Sequence, residues 1–193
     1  AYRNQRVGFK LEETCKHGGF DTGFALLNHR SQQENLMSEL DELADKLRTE
    51  GDKFTALFAG LKDDQWQAEV YTEGETWTLR NVLSHFVTSE RGLVRLFEQI
   101  RLGGAGAADD FSIDRYNAAQ QQKTKDLSRQ DLLEQYKAVR ADSIAWTLSL
   151  SELDLEKQGK HPFLGMTSIR EMIKMLYLHN QVHYRDMKKV LKP

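Results

Sequence analysis

The sequence predicts an all-α protein: a four-helix bundle with a long crossover between its second and third helices. Three observations predict it. Apolar residues recur at spacings of three, four and seven through four separate stretches of chain. Only two prolines, Pro162 and Pro193, occur in a chain rich in leucine, glutamate, glutamine, lysine and alanine and poor in β-branched runs. A glycine-led connection far longer than an antiparallel neighbour requires separates the second stretch from the third.

The chain has 193 residues, 39% of them hydrophobic, enough for one domain with a sizeable core. Residues 1–32 stand apart. They hold Gly8, Gly18, Gly19 and Gly23 without helical periodicity and read as a leader that is weakly ordered or not native to the fold. Met37 lies where a natural start would fall. The domain is therefore expected over 33–193.

The first helix is expected over about Glu34 to Leu61, where Leu36, Leu40, Leu43, Leu47, Phe54, Leu57, Phe58 and Leu61 share one face. A polar connection from Asp63 to Gly74 follows. Thr78 can cap a second helix running to about Leu102, with Leu79, Val82, Leu83, Phe86, Leu93, Val94, Phe97 and Ile100 inward. The third opens at Ser128, paired with Asp131, and carries Leu132, Leu133, Tyr136, Val139, Ile144, Trp146 and Leu148. The fourth opens at Ser168, with Glu171 completing a capping box, and runs to about Leu191. About 25 residues, beginning Gly103-Gly104-Ala105-Gly106, join helices two and three. A helix of some 22 residues is roughly 33 Å long, and about ten extended residues cover that distance. The linker can therefore cross the bundle and leave these two helices parallel.

Charge narrows the function classes. Lysine plus arginine number 27 against 29 acidic residues, a net charge of −2, which predicts no nucleic-acid partner and no polybasic membrane anchor. No apolar run approaches the roughly 18 residues of a membrane span. A single cysteine, Cys15, excludes an internal disulfide framework and fits a reducing cytoplasm.

The histidines carry the chemistry. On the fourth helix His179 and His183 lie in the stripe of Ile169, Met172, Leu176, Met187 and Val190, at i and i+4. Side by side, they can present two imidazoles to one metal; a single inward histidine is more often a hydrogen-bonded core residue. Two stacked among aliphatics each cost about 1–3 kcal/mol unless their nitrogens find partners. His85 flanks the apolar arc of the second helix and can point into the same interior. Three imidazoles leave positions open on a divalent ion for water or substrate. Asn180 follows His179, so the His-Glu-x-x-His protease motif is absent, and no Glu-x-x-His pair suggests a di-iron bundle.

The segments Asp63-Asp64-Gln65-Trp66, Trp77-Thr78-Leu79-Arg80-Asn81-Val82-Leu83-Ser84-His85 and Leu178-His179-Asn180-Gln181-Val182-His183 resemble the DinB-like (DinB/YfiT-type) family of metal-binding four-helix bundles. The likeness spans about Met37 to Lys192. It implies a metal triad of His85, His179 and His183, parallel central helices with a long crossover, and a homodimer as a common state. The family includes thiol-dependent enzymes, among them bacillithiol transferases and the metal-binding domain of mycothiol-dependent maleylpyruvate isomerase. It therefore implies one divalent ion, zinc or nickel, and a low-molecular-weight thiol acting on a small electrophile, as transferase or isomerase. The alternative is a non-catalytic metal- or ligand-binding stress-response bundle. Maleylpyruvate isomerase carries a further C-terminal domain, whereas ten residues (193 − 183) follow His183 in this sequence, so its activity is not expected to transfer.

Four further residues are candidates. Glu90, five residues after His85, could move a proton or orient a ligand ring, or simply form a salt bridge at the bundle edge. Asp186 could serve likewise, or pair with Lys189 or Lys192. Tyr116 and Asn117 fall in the crossover, where a loop could cover the site and bind a cofactor. Trp66 and Trp77 read as packing residues at helix ends.

Overall fold

A computed structural model describes residues 37–73 and 75–192. The expectations for the leader 1–32, and for Glu34 and Leu36 in the first helix, lie outside the described residues. In chain order the elements are α1 (Glu39–Ala59), a 3-10 turn (Gln65–Gln67), β1 (Glu69–Tyr71), β2 (Trp77–Thr78), α2 (Leu79–Arg101), α3 (Ile113–Thr124), α4 (Arg129–Leu148), the short α5 (Glu152–Leu155), β3 (Gln158–His161), β4 (Gly165–Ser168) and α6 (Ile169–Val190). The four long helices α1, α2, α4 and α6 form the bundle.

Local chemistry sets where each begins. Ser38, Thr78 and Ser128 each close a reciprocal capping box, with Asp41, Asn81 and Asp131 respectively. Ser38 thus starts α1 at Glu39, later than apolar spacing alone suggested. Ser168 accepts from the Glu171 amide, but the Glu171 carboxylate turns to Lys174 at 2.8 Å, so the expected capping box at α6 is only half made.

Side-chain pairings give the helix directions. Phe86 faces Tyr136, Glu90 pairs with Arg140 and Glu98 accepts from Trp146, so positions rise together and α2 runs parallel to α4. Glu39 and Arg170 meet at 2.6 Å at the starts of α1 and α6, which also run parallel. Phe54 packs on Tyr136 while Leu47 O accepts from Arg140, so α1 and α4 are antiparallel. The bundle is accordingly up-down-down-up, as the crossover length allows.

The crossover is more structured than a loop. It contains α3, which packs on α2 through Ser84 Oγ with Thr124 Oγ1 at 2.5 Å, Gln121 Nε2 donating to Asn81 O at 2.8 Å, and Tyr116 Oη donating to Thr88 O at 2.9 Å. Two antiparallel hairpins, β1–β2 and β3–β4, also depart from the all-helical expectation. The second reads Gln-Gly-Lys-His and Gly-Met-Thr-Ser, with no β-branched run to announce it, and it is pinned by Lys160 pairing with Ala105 and Ala107 after α2.

The core has two apolar halves. Phe54, Phe58, Val82, Leu83, Phe86, Leu132, Tyr136 and Met187 fill one; Leu43, Leu47, Phe97, Ile100, Ile169, Met172, Ile173 and Leu176 fill the other. Between them in each helix lie buried polar residues: Glu50 in α1, Glu90 in α2, Arg140 and Ser143 in α4, and Asn180 in α6. Leu148, assigned inward from spacing, ends α4 exposed. No described helix is long and apolar enough to cross a membrane.

Candidate metal centre

The site lies where α2 and α6 pass in opposite directions. His85 projects from α2, and His179 and His183 from successive turns of α6. Nε2 of His179 is 3.3 Å from Nε2 of His85 and 3.0 Å from Nε2 of His183, and one nitrogen from each of the three rings lies within 4.8 Å of the others. Three imidazoles bound at 2.0–2.1 Å to a tetrahedral ion would have nitrogens about 3.3 Å apart. Two of the three separations, His85 to His179 and His179 to His183, are close to that value, and the third lies within 4.8 Å.

The rings are neutral. Burial pushes His85 down to about 4, an effect the Asn117 side chain offsets in part. Burial and the neighbouring His85 take His183 down to about 3, with Asp186 opposing. His179 is held well below its usual value, first by burial and then by the charges that His183, His85, His161 and Arg140 would present. Neutral imidazole keeps the lone pair a cation needs.

Aromatic rings wall the triad. Phe86 sits 4.7 Å from the His179 ring and 5.1 Å from His183 between centroids. The β1–β2 hairpin supplies two more: Trp77 at 5.2 Å from His85, and Tyr71 edge-on to His183 at 5.4 Å. Tyr71 Oη is 2.8 Å from His183 Nδ1 and donates to Asp186 Oδ2 at 3.2 Å. Asp186 also accepts from Lys189 at 2.8 Å. Burial alone would raise its carboxyl, but the bonds from Lys189 and Tyr71 hold it below the usual value.

The other candidates separate. Glu90 makes no hydrogen bond to an imidazole; it lies in the core rather than at the bundle edge, with Oε2 2.8 Å from Arg140 Nη2. Burial pushes its carboxyl upward against the pull of Arg140 and Ser143. Tyr116 and Asn117 stand on α3, not in a covering loop. Asn117 reaches His85, whereas Tyr116 is engaged with Thr88 and fills the space over Gly92, where a Cβ would stand 2.5 Å from its hydroxyl. Trp66 and Trp77 are buried in the core.

Sequence reasoning missed Arg140, whose guanidinium donates to Leu47 O at 3.3 Å, Glu90, Tyr136 Oη at 3.3 Å and Asn180 Oδ1. Its signal was an arginine in phase with Tyr136, Ser143 and Thr147 on the inward face of α4. Tyr71 sits in a three-residue strand without periodicity and left no signal.

The family model of the DinB superfamily matches residues 46–187. The chain belongs to the DinB superfamily. No curated protein has a sequence that matches it. Among solved structures this DinB-superfamily chain is similar to YfiT from Bacillus subtilis, described as a probable metal-dependent hydrolase with an unusual four-helix bundle topology. The TM-score is 0.65 at 15% identity, covering 87% of this chain and 92% of that one. It is also similar to the colibactin self-resistance protein ClbS, solved in complex with double-stranded DNA. There the TM-score is 0.60 at 14% identity, covering 78% of this chain and 92% of that one. At these identities the likeness is one of fold.

One expectation needs correction. Excluding nucleic acid on net charge does not stand, because a chain of the same fold, ClbS, is found on duplex DNA. Net charge sums over the whole surface, whereas a phosphate backbone meets only the charges of one face.

Proposed function

We propose that this DinB-superfamily chain holds one divalent cation between His85, His179 and His183 and uses it to activate a small nucleophile. The observation that carries this reading is the approach of three neutral Nε2 atoms to the separations of a shared ion. Imidazole nitrogen suits zinc and nickel alike. When bound, such an ion lowers the pKa of a thiol or water in its remaining position, giving a nucleophile near neutral pH.

The protein's own residues do the rest. Three ligands without charge leave the ion's positive charge undiminished. Phe86, Trp77 and Tyr71 set apolar aromatic surface against the imidazoles, which lowers the local dielectric and strengthens that charge. Asn117 places an amide beside His85, where it can meet a bound ligand. Of the two acidic candidates, only Asp186 connects to an imidazole, through Tyr71. Glu90 serves the core pairing with Arg140.

The reaction we infer is transfer or isomerisation assisted by a low-molecular-weight thiol. Hydrolysis by a bound water is the second reading, favoured by the fold likeness to YfiT. Purified protein, with metal quantified by plasma mass spectrometry, separates the two when assayed with a small electrophile in the presence and absence of biological thiols. Thiol-dependent turnover at one metal per chain supports the first, and turnover of an ester or amide without thiol supports the second. Stoichiometric metal with neither activity leaves a binding protein, and absence of metal from protein reconstituted with zinc or nickel overturns the site itself.

A further inference from the structure

The three imidazoles are not held alike. Nδ1 of His85 is buried and makes no hydrogen bond of regular geometry, although the Asn117 side chain stands near the ring. Nδ1 of His183 lies 2.8 Å from the Tyr71 hydroxyl, which itself donates to Asp186 Oδ2 at 3.2 Å. The hydroxyl has one proton. A carboxylate can only accept, so if the proton goes to Asp186 the oxygen accepts from His183, an arrangement that puts the His183 proton on Nδ1 and the lone pair on Nε2. That is the nitrogen facing His179 at 3.0 Å.

Tyr71 reaches this position from outside the bundle. Its strand, β1, pairs with β2 beside the start of α2, and Trp77 of the same hairpin packs on His85 at 5.2 Å. One hairpin therefore touches ligand-bearing residues of both helices. The Asp186 carboxylate is only one turn beyond His183, yet the hydroxyl interposed by the hairpin links the two.

We propose that Tyr71 is a positioning residue for the metal centre: its hydroxyl, anchored by Asp186, fixes the tautomer and ring orientation of His183 so that Nε2 is presented to the cation. This rests on the reading of the triad as a metal site. Outer hydrogen bonds of this kind typically change metal affinity by about 10- to 100-fold. The hairpin then belongs to the site as a support, although none of its residues touches the ion.

The test uses the full chain, with zinc affinity measured by competition against a chromophoric chelator. Tyr71→Phe keeps the ring against His183 and removes only the hydroxyl. It should weaken zinc binding by 10-fold or more while the metal-free protein melts within about 2 °C of the parent. Asp186→Asn should weaken binding less, because the amide oxygen still accepts from Tyr71. Binding by Tyr71→Phe within twofold of the parent would overturn the proposal. If the phenylalanine variant destabilises the metal-free fold, the protonation pattern of zinc-loaded parent protein decides instead. Nitrogen-15 spectra should show His183 metallated at Nε2 with a proton on Nδ1; metallation at Nδ1 would overturn the proposal. His179→Ala keeps the failures apart: if it retains zinc, the triad reading itself is wrong. If it loses zinc while Tyr71→Phe does not, only the role of Tyr71 falls.

Discussion

Glu90 and Arg140 pair at 2.8 Å across the parallel helices α2 and α4, with side chains 2% and 6% exposed, between the two apolar halves of the core. Removing two charges from water costs several kcal/mol each, and the pair holds because Arg140 also reaches Leu47 O, Tyr136 and Asn180. Arg140→Met should lower unfolding stability by about 3–5 kcal/mol, since Glu90 is left buried without its cation. Adding Glu90→Met to that variant should recover much of the loss. Urea denaturation of chelator-treated protein measures both, and a near-neutral Arg140→Met would show that water reaches the pair.

Gly51 in α1 makes room for that guanidinium. A Cβ there would stand 2.8 Å from Arg140 Cγ, close to the backbone of a side chain pinned at its far end. Alanine gains up to about 1 kcal/mol of helix propensity over glycine, while overpacking a tight core costs about 1–3 kcal/mol. The second effect should win, so Gly51→Ala is expected to be destabilising by about 1 kcal/mol. A stabilised variant in thermal melting would mean that α1 and α4 can separate freely here.

Metal-free protein should lose stability in mild acid. His161 Nδ1 accepts from the Phe163 and Leu164 amides at 3.1 Å each, and burial pushes its pKa down to about 4. The unfolded chain, with histidine near 6.5, takes up the proton first. The stabilisation is therefore complete above about pH 6.5 and is lost as the pH falls toward 4. His85 and His183 add to the same trend. Between pH 7.5 and pH 5 His161 alone should remove on the order of 2 kcal/mol. Denaturant titrations at the two pH values check this, and equal midpoints would contradict the burial of these rings.

Loading should stabilise the fold. With free zinc 100-fold above its dissociation constant the gain is about 2.7 kcal/mol, or roughly 5–10 °C in melting temperature for a domain of this size. A chelator should reverse it. In His179→Ala the shift should vanish although the metal-free melt is retained, because the lost ring is a desolvated polar group. A zinc-induced shift that survives this substitution would place the ion elsewhere.

Much of the fold was legible because amphipathic helices are written locally. The stripe of Leu43, Leu47, Phe54 and Phe58, and caps such as Thr78 with Asn81, need only near neighbours in the chain. The i, i+4 spacing of His179 and His183 was equally local, and crossover length left room for α2 and α4 to run parallel. The hairpins were not legible. Gln158–His161 carries no strand signature, and its ladder forms because tertiary contacts with Ala105 and Ala107 hold Lys160 in place. Glu90 could be read from its phase as inward-facing but not as the partner of Arg140, since the two lie 50 residues apart.

By itself, the chain of residues determined which faces are apolar, where the long helices begin, and that two imidazoles share one side of the last helix. Periodicity and capping act over a few residues, so they survive without knowledge of the fold. Only the tertiary structure decided that His85 arrives 3.3 Å from His179, that Tyr71 stands between His183 and Asp186, and that Arg140 spends its charge on the core. Those outcomes depend on how helices pack side by side, and a shift of an ångström in that packing leaves every local signal unchanged while separating the nitrogens.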